Sequence, residues 1–144
     1  MPDLLDVSVW LPLSVPDHVH HERARQYWDR EAADEVMFCR VTALAFLRLV
    51  TNPRVLRDRA LHGATAWNAL RTWLATPGVG WLDEPPALDE WLARWASDLD
   101  LSGAGWTDAY LAAFAAASGC RLVAFDADFL RYPGVDVLHL RPSG

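Results

Sequence analysis

Three aspartates stand at the edges of apolar stretches that lie far apart in this chain. Asp6 sits inside Leu4-Leu5-Asp6-Val7-Ser8-Val9-Trp10-Leu11. Asp108 opens the Ala-rich stretch that begins Trp106-Thr107-Asp108-Ala109-Tyr110-Leu111, and Asp126 follows the run Arg121-Leu122-Val123-Ala124-Phe125. An ionised carboxylate is costly to bury alone; it needs a partner, a cation or a raised pKa. Three carboxylates brought together by a fold repel one another, and Mg2+ or Mn2+, which prefer oxygen ligands, removes the conflict. Beside a phosphodiester such an ion activates water and stabilises the charge that develops on the phosphorus oxygens. Taken singly, each aspartate is better explained as a turn or helix-cap residue. Two of them at like ends of two apolar, strand-like runs favour the metal reading.

The elements that must position these acids follow from periodicity and punctuation. A strand is expected over 3–10, with Asp6 near its C-terminal end, then a connection to Asp17 broken by Pro12 and Pro16. A helix over 18–33 with Asp17 as N-cap follows, then a short strand over 36–39 and an apolar helix over 42–51 stopped by Asn52-Pro53. Residues 54–62 read as a polar connection or half-helix, and 64–75 as an amphipathic helix with Trp67, Leu70, Trp73 and Leu74 on its inner face. A strand at 79–82 precedes a helix carrying Leu88, Trp91, Leu92, Trp95 and Leu99 at helical spacing. Thr107 is expected to cap a helix running to Ser118, apolar all round and closed by Gly119. Strands at 121–125 and 135–140 complete the chain. Strands alternating with helices predict an α/β fold, a three-layer α/β/α sandwich with a mostly parallel central sheet, formed by residues 1–144 as a single domain. In such sheets ligands sit beyond the carboxyl ends of the strands, so Asp6 and Asp126 share one edge. Asp108, in the first turn of its helix, gains from the macrodipole.

The totals narrow the function classes. At 144 residues and 52% hydrophobic content the chain can build a core and is not disordered. No apolar window reaches the ~18 residues that cross a bilayer. The first residues lack a basic stretch, and Asp3 and Asp6 interrupt their apolar run, so no signal peptide is expected and the cytoplasm is the expected compartment. Cys39 and Cys120 lack CxxC spacing and are expected to be reduced, structural thiols rather than zinc ligands. A net charge of −6 argues against binding nucleic acid by bulk electrostatics, though not against a nuclease whose acids hold metal. All 13 basic residues are Arg, best explained by genome composition.

Four stretches in order make the chain resemble PIN-domain ribonucleases, in particular VapC-type toxins of type II toxin–antitoxin pairs: Leu4 to Leu11, Arg40 to Pro53, Thr107 to Ala112, and Phe125-Asp126-Ala127-Asp128-Phe129. The likeness spans nearly the whole length. It implies a Mg2+-dependent endoribonuclease in a PIN-like fold, with Mn2+ as a possible substitute, an RNA substrate, a cognate antitoxin and a homodimer. Asp6 and Asp108 match the family's principal metal ligands, Asp126 the third, and Asp128 a further acid found in some members. Ala45 stands where many members carry Glu, which puts a second metal site in doubt. Ser8 and Thr107 offer neutral oxygens near the site, directly or through water, and with Arg48 are the candidate RNA-binding residues. The alternative is a catalytically weak or inactive PIN module that binds RNA or a protein partner. A phosphatase-like hydrolase using Asp as nucleophile lacks the expected flanking pattern.

Arg40, Arg48, Arg54, Arg57 and Arg59 bunch in the middle third. Arg48 matches a recurrent family position and is the candidate for phosphate contact; the others read as a solvated face. His18, His20 and His21 do not share one helical face and read as surface residues. The Trp residues are expected in the core or a subunit interface, with Trp10 and Trp106 beside the acids. Phe46, Leu47 and Leu49 are expected to contribute to an antitoxin groove.

Overall fold

The computed structural model describes residues 1–142, so the last two residues of the expected 1–144 domain lie outside them. Five strands, β1 (Asp3–Leu5), β2 (Val36–Phe38), β3 (Val79–Trp81), β4 (Arg121–Ala124) and β5 (Val137–His139), form one sheet in the order β3-β2-β1-β4-β5. Every pairing is parallel. The strands are only three or four residues long; β1, β2 and most of β4 are buried, while the edge strands β3 and β5 are half-buried, and neighbouring side chains serve opposite faces. Leu5, Val36, Phe38 and Val123 point into one core with α1 (Val7–Ser14), α2 (His21–Arg30), α3 (Arg40–Val50) and α5 (Gly63–Leu74). Leu4, Met37, Leu122 and Ala124 point into the other, with α6 (Leu88–Asp98) and α7 (Gly105–Ser118). The result is the expected three-layer α/β/α sandwich. The strand order reverses beside β1, which makes the β1/β4 boundary the crevice where ligands bind in such sheets.

The first strand is far shorter than the sequence predicts, and the expected connection over 11–17 is largely helix. Asp6 ends the strand by capping α1: its Oδ2 accepts from the Ser8 amide at 3.1 Å. The alternation of Val7, Ser8 and Val9 imitates a strand. The helix it forms buries Val9, Trp10, Leu11, Pro12 and Leu13, which leaves no one-sided stripe to betray it. Trp10 lies parallel to Phe38, with ring centroids 3.9 Å apart, and anchors this core as expected.

Other boundaries shift for local reasons. The second helix starts at His21 rather than at 18, because Asp17 pairs with Arg59 at 2.7 Å instead of capping it. The third begins at Arg40, where the Thr42 hydroxyl accepts from the Cys39 amide at 3.0 Å. Residues 53–59 form the short helix α4 (Pro53–Leu56) and a 3-10 turn. Thr107 does not cap α7; Ala104 stands at that position and Thr107 lies in the first turn. Gly119 closes α7 with φ +68°, a conformation that suits a residue without Cβ. Trp67, expected in the core, is 48% exposed. Cys39 and Cys120 are free and buried, and burial pushes the Cys120 thiol up to about 11.

Candidate metal centre

Each acid is delivered by the end of an element. Asp6 follows β1 and is tied to β4, its amide donating to the Val123 carbonyl at 2.9 Å. Asp126 follows β4 and opens a 3-10 turn over Ala127–Arg131, its Oδ1 accepting from the Asp128 amide at 2.9 Å. Asp108 projects from the first turn of α7. Carboxylate oxygens of Asp108, Asp126 and Asp128 all lie within 4.8 Å of one another. Asp6 is outside that trio, but it lines a cavity of about 230 Å³ together with Asp108, Thr42, Ala45, Thr107 and Phe129. The fold therefore brings the four aspartates singled out in the sequence to one edge of the sheet.

Their electrostatics are those of a site short of positive charge. Burial raises the Asp6 carboxyl above its ordinary range; the Ser8 hydroxyl and the Ser8 and Val7 amides oppose the shift, and the charge of Asp126 adds to it. Asp108 is also raised, first by desolvation and then by the charges of Asp126, Asp6 and Asp128, with Arg131 opposing. Carboxylates crowded in this way, offering oxygen donors only, suit a hard divalent cation such as Mg2+ or Mn2+ and do not suit a soft, thiolate-loving one.

The remaining candidates fall in different places. Thr107 is exposed and lines the cavity. The Ser8 hydroxyl accepts from the Phe125 amide at 3.1 Å, so it ties the Asp6 segment to the Asp126 segment. Arg48 is exposed on α3, one turn beyond Ala45, and is not among the cavity-lining residues. Phe46 is 1% exposed and packs in the core, so it does not line the expected groove; Leu47 and Leu49 are partly buried against that core. The three histidines are half-buried rather than free on the surface. Their partners include the Pro12 carbonyl, 2.7 Å from His21 Nδ1, and the Phe125 ring, on which His20 stacks.

Two features escape the sequence. Asp3, not Asp6, is the fully buried carboxylate; Arg121 grips both its oxygens at 2.8 Å and the Tyr27 hydroxyl donates to it at 2.5 Å. The other is Arg131, close enough to oppose the Asp108 shift and held by the Leu99 carbonyl at 2.9 Å. A 3-10 turn repeats every three residues, so Arg131 rises on the same side as Asp128.

Comparison with known proteins agrees with this architecture. Residues 4–135 match the PIN domain family. Ribonuclease VapC41 of Mycobacterium tuberculosis is 35% identical over 139 residues, covering 93% of this chain and 95% of that protein. Among solved structures, the chain is similar to Mycobacterium tuberculosis VapC20, a Sarcin-Ricin loop cleaving toxin, with a TM-score of 0.69 and 23% identity over 94% of this chain and 98% of the other. It is similar also to the VapBC2 structure from Rickettsia felis bound to a promoter DNA fragment, with a TM-score of 0.69 and 12% identity over 97% and 99% of the two chains. At those identities the two structures speak to the fold alone.

Proposed function

This chain belongs to the PIN-domain family, and on that premise we propose that it is a metal-dependent endoribonuclease, the toxin of a VapBC-type toxin–antitoxin pair. The observation that carries the reading is the meeting of Asp108, Asp126 and Asp128 within 4.8 Å beside a cavity that Asp6 also lines. Asp6, Asp108 and Asp126 are the catalytic carboxylates, with Asp128 as a further ligand, and Mg2+ the expected ion with Mn2+ as a substitute. A divalent ion held there supplies the Lewis acidity that phosphodiester hydrolysis needs.

The protein's own groups do the rest. Thr107 borders the cavity and offers its hydroxyl to a phosphate oxygen, whereas the Thr42 hydroxyl is spent on the Cys39 backbone. Ser8 holds the Asp6 carboxylate through its amide and the β4 end through its hydroxyl. Arg48, exposed one turn beyond Ala45, takes the RNA backbone. The apolar wall of Val7, Val41, Leu111 and Phe129 limits water at the reacting phosphate.

The likeness to VapC ribonucleases and VapBC structures supports an RNA substrate and a cognate antitoxin as partner; the proposal extends to a homodimer acting in the cytoplasm, each protomer a single domain over residues 1–144. No helix among the described residues is long and apolar enough to cross a membrane. A second reading, a PIN module that binds RNA or protein without cutting, is favoured by Ala45, which faces the cavity without a carboxylate.

Cleavage of total RNA by purified protein, with Mg2+, with EDTA and with the Asp108→Asn variant, tests the reading. Discrete cuts that need the ion and fall by about 100-fold or more in the variant support the nuclease. Folded, antitoxin-free protein that cuts nothing with Mg2+, or with Mn2+ in its place, supports the binding module.

A further inference from the structure

The histidines between α1 and α2 are not absorbed by the reaction just described, yet one of them packs on the residue that leads into the acid cluster. The His20 ring lies flat on the Phe125 ring, with centroids 4.6 Å apart and planes inclined by 15°. Phe125 immediately precedes Asp126, and both its backbone polar groups are held as well. Its amide donates to the Ser8 hydroxyl at 3.1 Å, and its carbonyl lies 3.0 Å from His139 Nε2. The loop carrying His20 is itself fixed: the His20 amide donates to His18 Nδ1 at 3.0 Å, and His21 Nδ1 sits 2.7 Å from the Pro12 carbonyl. His20 Nδ1 is buried and makes no hydrogen bond among the described residues. The ring is thus used for its flat face, and a buried nitrogen goes unsatisfied to provide it.

We propose that His20 is a positioning residue for Asp126: by stacking on Phe125 it fixes the peptide that carries the Asp126 carboxylate toward Asp108 and Asp128. This rests on the metal reading of the acid cluster. The turn it steadies is short and exposed. Asp126, Ala127 and Asp128 all face solvent, and among the described residues the Asp126 carboxylate is braced by the Asp128 amide alone, at 2.9 Å. Such a turn keeps its oxygens in place when the residue leading into it cannot rotate. His20 supplies that restraint from another layer of the fold, and it does so without proton chemistry.

The test compares wild type, His20→Ala and His20→Phe by Mn2+ calorimetry and by amide exchange in metal-free protein, read at the Asp128 amide. The expected result for His20→Ala is Mn2+ affinity weaker by about tenfold, the usual cost of losing an outer support of a metal site, with faster exchange at Asp128. His20→Phe keeps the flat face and restores both. If His20→Ala unfolds, His20→Leu fills the volume without a flat face and is expected to show the same losses. Wild-type affinity and exchange in the alanine or leucine variant overturn the proposal. Losses in His20→Phe equal to those in alanine overturn it too, by assigning the effect to the ring nitrogens. Wild-type protein that binds no Mn2+ defeats the metal reading instead, and the Asp128 exchange then decides the role of His20 alone.

Discussion

Asp3 and Arg121 face each other across the paired strands β1 and β4, the guanidinium donating from Nε and Nη2 to the two carboxylate oxygens at 2.8 Å each. Asp3 is fully buried, and the Tyr27 hydroxyl and Ala33 amide complete its shell. Arg121 also donates to the Glu31 carbonyl at 2.9 Å, so one side chain joins β4, β1 and the end of α2. Arg121→Met strands the Asp3 charge and is expected to destabilise the protein by about 3–5 kcal/mol in urea unfolding. Adding Asp3→Asn to that variant removes the orphaned charge and recovers part of the loss. A double variant no more stable than the single one contradicts this account.

The acid cluster makes a pH prediction of definite sign. Asp6 and Asp108 are both raised from an ordinary value of 3.8. A carboxyl raised in the folded state binds its proton more tightly there than in the unfolded chain. Its contribution to stability is therefore present below the unfolded pKa and lost as pH climbs through the folded one. In EDTA, Asp108→Asn is expected to melt above wild type at pH 7, by a few degrees, with the gap closing toward about pH 4. Saturating Mn2+ reverses the order, since only wild type keeps the full donor set. Melting curves at several pH values, with and without the ion, check this.

Ala45 lines the cavity shared by Asp6 and Asp108, so Ala45→Glu adds a carboxylate to a place already crowded with them. Without metal the variant is expected to melt below wild type, through like-charge repulsion and desolvation. With Mn2+ it is expected to gain more stability than wild type, and calorimetry should show tighter or additional binding. A variant indifferent to metal shows that position 45 does not face the ion.

Gly134 approaches the α6 aromatics so closely that an added Cβ would lie 2.8 Å from Trp91 Cζ3, at a backbone φ of +90°. Gly134→Ala is expected to cost about 1–3 kcal/mol by crowding and backbone strain together. Trp91 packs on Trp95, 5.6 Å between centroids, so fluorescence follows the disturbance directly.

Much of the fold was legible because the sheet is parallel and buried. Short apolar runs marked β2, β3, β4 and β5, the last three with Pro or Gly nearby, and amphipathic spacing marked α5 and α6. The first helix was misread because Val7-Ser8-Val9 alternates like a strand while every later turn of α1 is buried. Asp6, Asp108 and Asp126 were legible as candidates because each marks the boundary of an element. Their companionship with Asp3–Arg121 and His20–Phe125 was not, since those contacts depend on strand register and on a loop crossing the sheet edge. No local pattern encodes either.

The pairing of β1 with β4 has a consequence for synthesis. The Asp3–Arg121 contact spans 118 residues, and Asp6 meets its acidic companions only when β4 has taken its place beside β1. A growing chain presents β1, α1 and β2 early, with one edge of β1 open and Asp6 alone. The acid cluster is therefore assembled late in folding, by the slow, long-range pairing of β4 onto β1.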